Sequence, residues 1–204
     1  MRKPLYILAI SVIILMTGCI KKRPRNFFPD QNDPNLSRLT DYGYNIATNY
    51  INTLPYINPY INNSIGNAVP TVEKIFTTST FDTLSISWPI LIDTTAVYSQ
   101  YTKIAILLPI SKSFSGNDFL ALSGQRFTSN TCTLQLTQNT SFDVDTLLSG
   151  TANIYFIKTG LTSPTSSLPE NLMFAGLFNG AIGDSITVTK GRFDFSIPVT
   201  SINF

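Results

Sequence analysis

From residue 41 onward the chain shows no long, clean helical period, and this limits what it can fold into more than any other feature. Thr, Ser, Ile, Phe and Tyr dominate, charged residues make up only 13% of the chain, and Pro or Gly interrupt the pattern often. Such residues favour half-buried pleated strands over helices. Alternation and punctuation predict strands over 71–78, 83–92, 103–110, 131–137, 152–158, 172–182 and 185–198. Pro89 inside the second of these points to an edge or a bulge. Ile104 to Leu108 is a continuous apolar run, expected to be buried on both faces. Lys190-Gly191 breaks the alternation of Ile186 and Val188 with Phe193, Phe195 and Ile197, which predicts a bulge or a tight turn. One short helical turn is expected around 116–122. Seven or so short strands at this spacing predict an all-β fold, an antiparallel β-sandwich or partly open barrel.

The start of the chain has a different character. Arg2 and Lys3 precede an apolar run over residues 5–16, too short for a membrane span but right for an export signal. Small Thr17 and Gly18 then lead into Cys19. This arrangement resembles the bacterial lipobox. The resemblance implies cleavage before Cys19, a diacylglycerol thioether on its sulfur and acylation of its amine, a lipid anchor of effectively permanent strength. The chain then divides into a signal peptide (1–18), an acylated Cys with a basic, Pro-rich tether (19–40) and one β domain (41–204). Pro24, Pro29 and Pro34 favour an extended tether.

Charge follows the same division. Without residues 1–18 the chain carries twelve basic and twelve acidic side chains, and four of the basic ones are Lys21, Lys22, Arg23 and Arg25. A basic tether suits anionic headgroups, whereas the acidic balance of residues 26–204 gives no attraction for nucleic acid. In lipoproteins of Gram-negative cells an Asp just after the acylated Cys favours the inner membrane. Here Ile20 and Lys21 follow, so the resemblance implies the outer membrane. Lipoproteins exported to the cell surface often carry acidic residues directly after the acylated Cys. None directly follows Cys19, so the resemblance to lipoproteins implies the periplasmic face over the cell surface here.

The residue inventory narrows the chemistry. Histidine is absent, which removes Ser-His-Asp and Cys-His nucleophile systems and the commonest metal ligand. Lys158-Thr159-Gly160 matches a box of serine penicillin-binding enzymes, yet no Ser-x-x-Lys accompanies it, and it reads as a strand end entering a turn. Asp143 and Asp145 share a face if they lie on a strand, but they lack the further oxygen donors of a calcium loop. No acid pair for glycoside hydrolysis stands out around Glu73, Glu170 or the aspartates. With Cys19 assigned to lipid, Cys132 has no disulfide partner; it alternates with Leu134 and Leu136, as a buried strand cysteine does. No cofactor and no metal are expected.

The segment 42–67 holds Tyr42, Tyr44, Tyr50, Tyr56 and Tyr60 among many Asn, with Tyr-Ile-Asn repeated at Tyr50, Tyr56 and Tyr60. Tyrosine offers a flat apolar face and asparagine paired donors and acceptors, which together suit sugar rings or a peptide strand. Tyr50, Tyr56, Tyr60, Asn58 and Trp88 are therefore the candidate ligand-binding residues. The competing reading is a Tyr/Asn-rich loop pair packed on its own domain, with Trp88 in the core.

The final fifty residues carry Ser149-Gly150-Thr151-Ala152-Asn153-Ile154-Tyr155-Phe156, then Phe174-Ala175-Gly176-Leu177-Phe178. They end with Ser185-Ile186-Thr187-Val188-Thr189-Lys190-Gly191-Arg192-Phe193-Asp194-Phe195. This resembles the C-terminal half of small uncharacterised lipoproteins of Bacteroidetes, and the resemblance implies a β fold and no known activity. The expected protein is a lipid-anchored envelope protein with a non-catalytic β domain that binds glycan or peptide. A structural or assembly lipoprotein of the outer membrane with a protein partner is the alternative, and a carboxylate-dependent hydrolase the third.

Overall fold

The computed structural model describes residues 29–58, 70–76, 80–92, 101–139, 145–162 and 170–202. Its strands are β1 (Ile46–Ile51), β2 (Leu54–Ile57), β3 (Thr71–Phe76), β4 (Asp82–Pro89), β5 (Leu91–Ile92), β6 (Tyr101–Ile110), β7 (Arg126–Asn139), β8 (Asp145–Leu161), β9 (Asn171–Ile182) and β10 (Ile186–Pro198). One helical turn, α1 (Gly116–Leu120), lies between β6 and β7. Among the described residues, no helix is long and apolar enough to cross a membrane.

All pairings are antiparallel, in one sheet of order β3-β4-β6-β7-β8-β9-β10-β1-β2-β5. Strand β5 follows β4 after the single residue Ile90, yet the two stand near opposite ends of that order. A sheet arranged this way has curled on itself. Among the described residues, Tyr56↔Ile92 and Ile57↔Leu91 join β2 to β5. The all-β class and the partly open barrel are therefore what the chain forms.

The predicted strands all appear, with differences that have local causes. The predicted 83–92 strand is split at Ile90, beside Pro89, which lacks a ladder N–H. Strand β7 begins at Arg126, five residues before its predicted start, because an irregularity between Phe127 and Cys132 absorbs residues that break the alternation. The break at Lys190-Gly191 is a register shift between Val188 and Gly191, with Lys190 at φ +51°. Strands β1 and β2 lie where the sequence reading had a Tyr/Asn-rich loop.

The inward faces form one apolar core. Trp88 is fully buried, with its ring 5.4 Å from the rings of both Phe178 and Phe195. Helix α1 places Phe119 against Phe174 at 5.5 Å, joining the helical turn to this aromatic cluster. Cys132 is buried beside Leu134 and Leu136 in the same core, where burial pushes its thiol up to about 12.

Residues 29–45 pack along β10 rather than trailing away. Leu36 is fully buried, Arg192 Nη1 donates to Asp30 Oδ2 at 2.6 Å, and Lys190 Nζ donates to Asp33 Oδ2 at 2.7 Å. The extended tether expected over 19–40 thus gives way, from Pro29 on, to chain held against the domain. Its acids find cations more than 150 residues away, a pairing that local composition does not report.

Candidate functional site

The residues expected to bind ligand do not form one surface. Tyr56 and Trp88 are buried in the barrel interior, at 1% and 0% exposure, and correct the expectation of an accessible aromatic platform. The hairpin register explains Tyr56: β1 and β2 pair Asn49 with Tyr56 and Tyr50 with Pro55. Tyr56 and Asn49 therefore face inward together, and Tyr50 faces out. The Tyr-Ile-Asn repeat thus presents opposite faces in its first two copies. Burial, with a smaller contribution from neighbouring Tyr101, pushes the Tyr56 hydroxyl up to about 12. Asn58 is buried, and its N–H donates to Ala47 O at 2.8 Å. Tyr60, Asp143 and the lipidation candidate Cys19 lie outside the described residues.

Tyr50 is the member of the set that leads somewhere. Its Oη donates to Asp33 Oδ1 at 2.6 Å, and Lys190 Nζ sits 5.6 Å from its ring centroid. Lys190 in turn lines a groove of about 480 Å³ on the outer face of β7 to β10. That volume falls within the roughly 300–1,000 Å³ of typical small-molecule sites.

Register builds the groove in two rows. In the first, Arg126 on β7 pairs with Tyr155 on β8, Tyr155 with Leu177 on β9, and Leu177 with Arg192 on β10. In the second, Asn153 pairs with Asn179. These residues face outward because their neighbours Ile154 and Phe178 point into the core. Irregularities flank the rows on both sides, on β7 between Phe127 and Cys132 and on β10 between Val188 and Gly191. Such bulges bend strands and raise local twist, which makes an outer face concave. Gly191 completes the floor: a Cβ there would lie 2.5 Å from the Phe178 ring, so only glycine lets β10 rest on that ring.

The polar groups of the groove are fixed by their neighbours. The Arg126 guanidinium lies 4.5 Å from the Tyr155 ring centroid, a cation–π contact. At the bulge, the Ser129 N–H donates to Asn153 Oδ1 at 2.9 Å, and Asn153 Nδ2 donates to Asn179 Oδ1 at 2.9 Å. Because a backbone N–H can only donate, Ser129 sets the orientation of both amides. Lys190 and Arg192 turn to the flanking segment, where they meet Asp33 and Asp30. Hydrogen bonding, first from Lys190 and then from Tyr50, holds the Asp33 carboxyl below its ordinary value, and the Asn32 N–H followed by Arg192 does the same for Asp30.

Two further carboxylates are buried in structural roles. Asp82 is buried between Lys74 and Lys112, and Asp194 accepts from Thr40, Tyr42, Gly43 and Tyr44. Among the described residues, no group of three or more Cys, Asp or Glu is placed to hold a metal. The sequence reading missed Arg126, Asn153, Tyr155, Leu177 and Asn179. Their signal was present as outward positions alternating with Ile154, Phe156 and Phe178, but cross-strand register makes the rows, and a single strand does not encode it.

No family model matches this chain, and neither a curated protein nor a solved structure matches it.

Proposed function

We propose that this is a lipid-anchored envelope protein, held through Cys19 at the outer membrane, whose β domain binds glycan in the groove across β7 to β10. The groove carries the reading: Leu177 and the Tyr155 ring supply apolar surface, and the Asn153–Asn179 ladder and Arg126 supply ordered polar contacts. Sugars need that combination, flat apolar contact with a few placed hydrogen bonds. A peptide strand recognised by β-augmentation needs open backbone groups on a sheet edge. Here β8 and β9 are paired on both sides, so the groove offers side chains, which favours glycan over peptide.

The test is calorimetric titration of the full-length protein in detergent with a panel of envelope and host oligosaccharides. Binding weakened at least tenfold by Tyr155→Ala or Asn179→Ala, with the melting temperature unchanged, is the expected result. Absence of binding across the panel would sink the reading. Anchoring is checked separately: radiolabelled palmitate is expected in the wild-type protein and lost in Cys19→Ala.

A further inference from the structure

We infer that the sugar recognised in this groove is acidic, with its carboxylate held by Arg126. The inference rests on the glycan reading above and adds the charge of the ligand to it. Three cations line the groove, Arg126, Lys190 and Arg192, and among the described residues no Asp or Glu does. Two of the three are already matched from outside the groove, Lys190 by Asp33 at 2.7 Å and Arg192 by Asp30 at 2.6 Å. Arg126 is exposed and has no ion pair or side-chain hydrogen bond among the described residues; its one contact of note is the Tyr155 ring. Stacking on a ring leaves the edge of the guanidinium, with its forked donors, free to face a planar anion.

The direction of the hydrogen bonds agrees. Ser129 N–H occupies Asn153 Oδ1, and Asn153 Nδ2 occupies Asn179 Oδ1. The ladder therefore ends in Asn179 Nδ2, whose N–H groups have no partner among the described residues. Among the described residues the groove thus presents unpaired donors, the Arg126 guanidinium on β7 and the Asn179 amide on β9, while each amide oxygen of the ladder already accepts one hydrogen bond. A neutral sugar hydroxyl can still donate to the second lone pair of each amide oxygen, but it leaves the Arg126 charge unanswered. A uronic acid brings a carboxylate that only accepts and answers the Arg126 charge, while its ring hydroxyls can accept from Asn179 Nδ2. Lys190 and Arg192 are neutralised by the flanking segment, which leaves Arg126 as the groove cation without an ion pair among the described residues.

The experiment pairs each acid with its own neutral form. Oligomers of galacturonate, glucuronate and mannuronate, and their methyl esters, are titrated into the full-length protein in detergent at low and at physiological salt. The expected result is that at least one acid binds tenfold or more tightly than its ester. That preference should weaken with salt, vanish in Arg126→Gln and be partly kept in Arg126→Lys, which retains charge without the planar fork. Esters or neutral oligosaccharides binding as well as the acids, with Arg126→Gln unaffected, would overturn the acidic ligand and leave the glycan reading standing. Binding of acidic peptides with no sugar bound would overturn both. Melting temperatures of the variants, expected at the wild-type value for an exposed side chain, separate lost recognition from lost fold.

Discussion

Asp194 on β10 accepts a hydrogen bond from the backbone N–H of Gly43 at 2.7 Å, across 151 residues of chain. The same carboxylate accepts the Tyr42 and Tyr44 N–H groups at 3.2 and 3.3 Å and the Thr40 hydroxyl at 2.5 Å. It is 2% exposed, so this one side chain serves four donors of a segment that covers the outside of the barrel. Gly43 is required at its centre: its φ is +75°, and a Cβ would lie 2.7 Å from that of Ser196.

Removing either partner should loosen the segment. Asp194→Ala leaves partly buried donors without their acceptor, at about 1–3 kcal/mol for each one that water does not recover. Gly43→Ala adds backbone strain of about 1–3 kcal/mol together with the steric contact. Urea unfolding should show both losses, with Asp194→Asn milder because its amide oxygen still accepts. A Gly43→Ala midpoint equal to wild type would contradict the geometry.

The attachment of residues 29–37 should depend on pH at both extremes. Asp30 and Asp33 are held below their ordinary value of 3.8, so their stabilisation is complete above that value and lost as pH falls through the lowered one. Lys190 is raised above 10.5 and Tyr50 above 10.0, in both cases chiefly by hydrogen bonding to Asp33. Their contribution is complete below those values and lost as pH rises through the raised ones. Hydrogen exchange at Leu36, whose N–H donates to Asp33 O at 2.9 Å, should be slow and level from about pH 5 to 9 after correction for intrinsic rates. Its protection should fall progressively as pH drops below 3.8 toward the lowered values, and as it rises above 10.0 toward the raised ones. Equal protection at pH 3 and pH 7 would show that the ion pairs do not hold the segment.

Why the fold was legible and the site was not follows from what strands encode. Alternation at Ile186 and Val188 or at Ile154 and Phe156 reports which side chains enter the core, because period 2 is a property of a single strand. Lys190-Gly191 reported its own bulge for the same local reason. The rows Arg126–Tyr155–Leu177–Arg192 and Asn153–Asn179 depend on register between four strands, and so does the inversion of Tyr56 relative to Tyr50. Tyr/Asn richness over 42–58 marked a real feature of the sequence, but hairpin pairing sent its aromatic rings to opposite faces. Pro29 and Pro34 suggested extended chain, but residues 29–37 turn back on themselves, with Pro29 bridged to Ser37, because the ion pairs to β10 hold them there.

Cys132 should behave as a reporter of unfolding. Its thiol is 3% exposed and pushed up to about 12 by burial, so neither access nor thiolate is available in the native state at neutral pH. Reaction with a thiol reagent should therefore be slow in the native protein and accelerate with the urea transition. Full labelling within minutes under native conditions would place the residue at the surface instead.

Asp82 offers the sharpest contrast between buried and exposed charge. It is 1% exposed and lies 3.6 Å from Lys74, itself 9% exposed, and 3.3 Å from Lys112, which is 46% exposed. Lys74 Nζ also donates to Lys112 O at 2.6 Å and Phe114 O at 3.3 Å. These bonds hold its ammonium in place even when the carboxylate is gone. Asp82→Ala therefore leaves a fixed, poorly solvated cation without its counter-charge, a loss of about 3–5 kcal/mol. Lys112→Ala removes a solvent-screened partner and should cost about 0–1 kcal/mol. Lys74→Met, which removes the buried cation but keeps the apolar stem, should fall between them, since Asp82 retains Lys112. Chemical denaturation of the three variants tests the order, and equal losses for Asp82→Ala and Lys112→Ala would show that burial does not set the strength of this cluster.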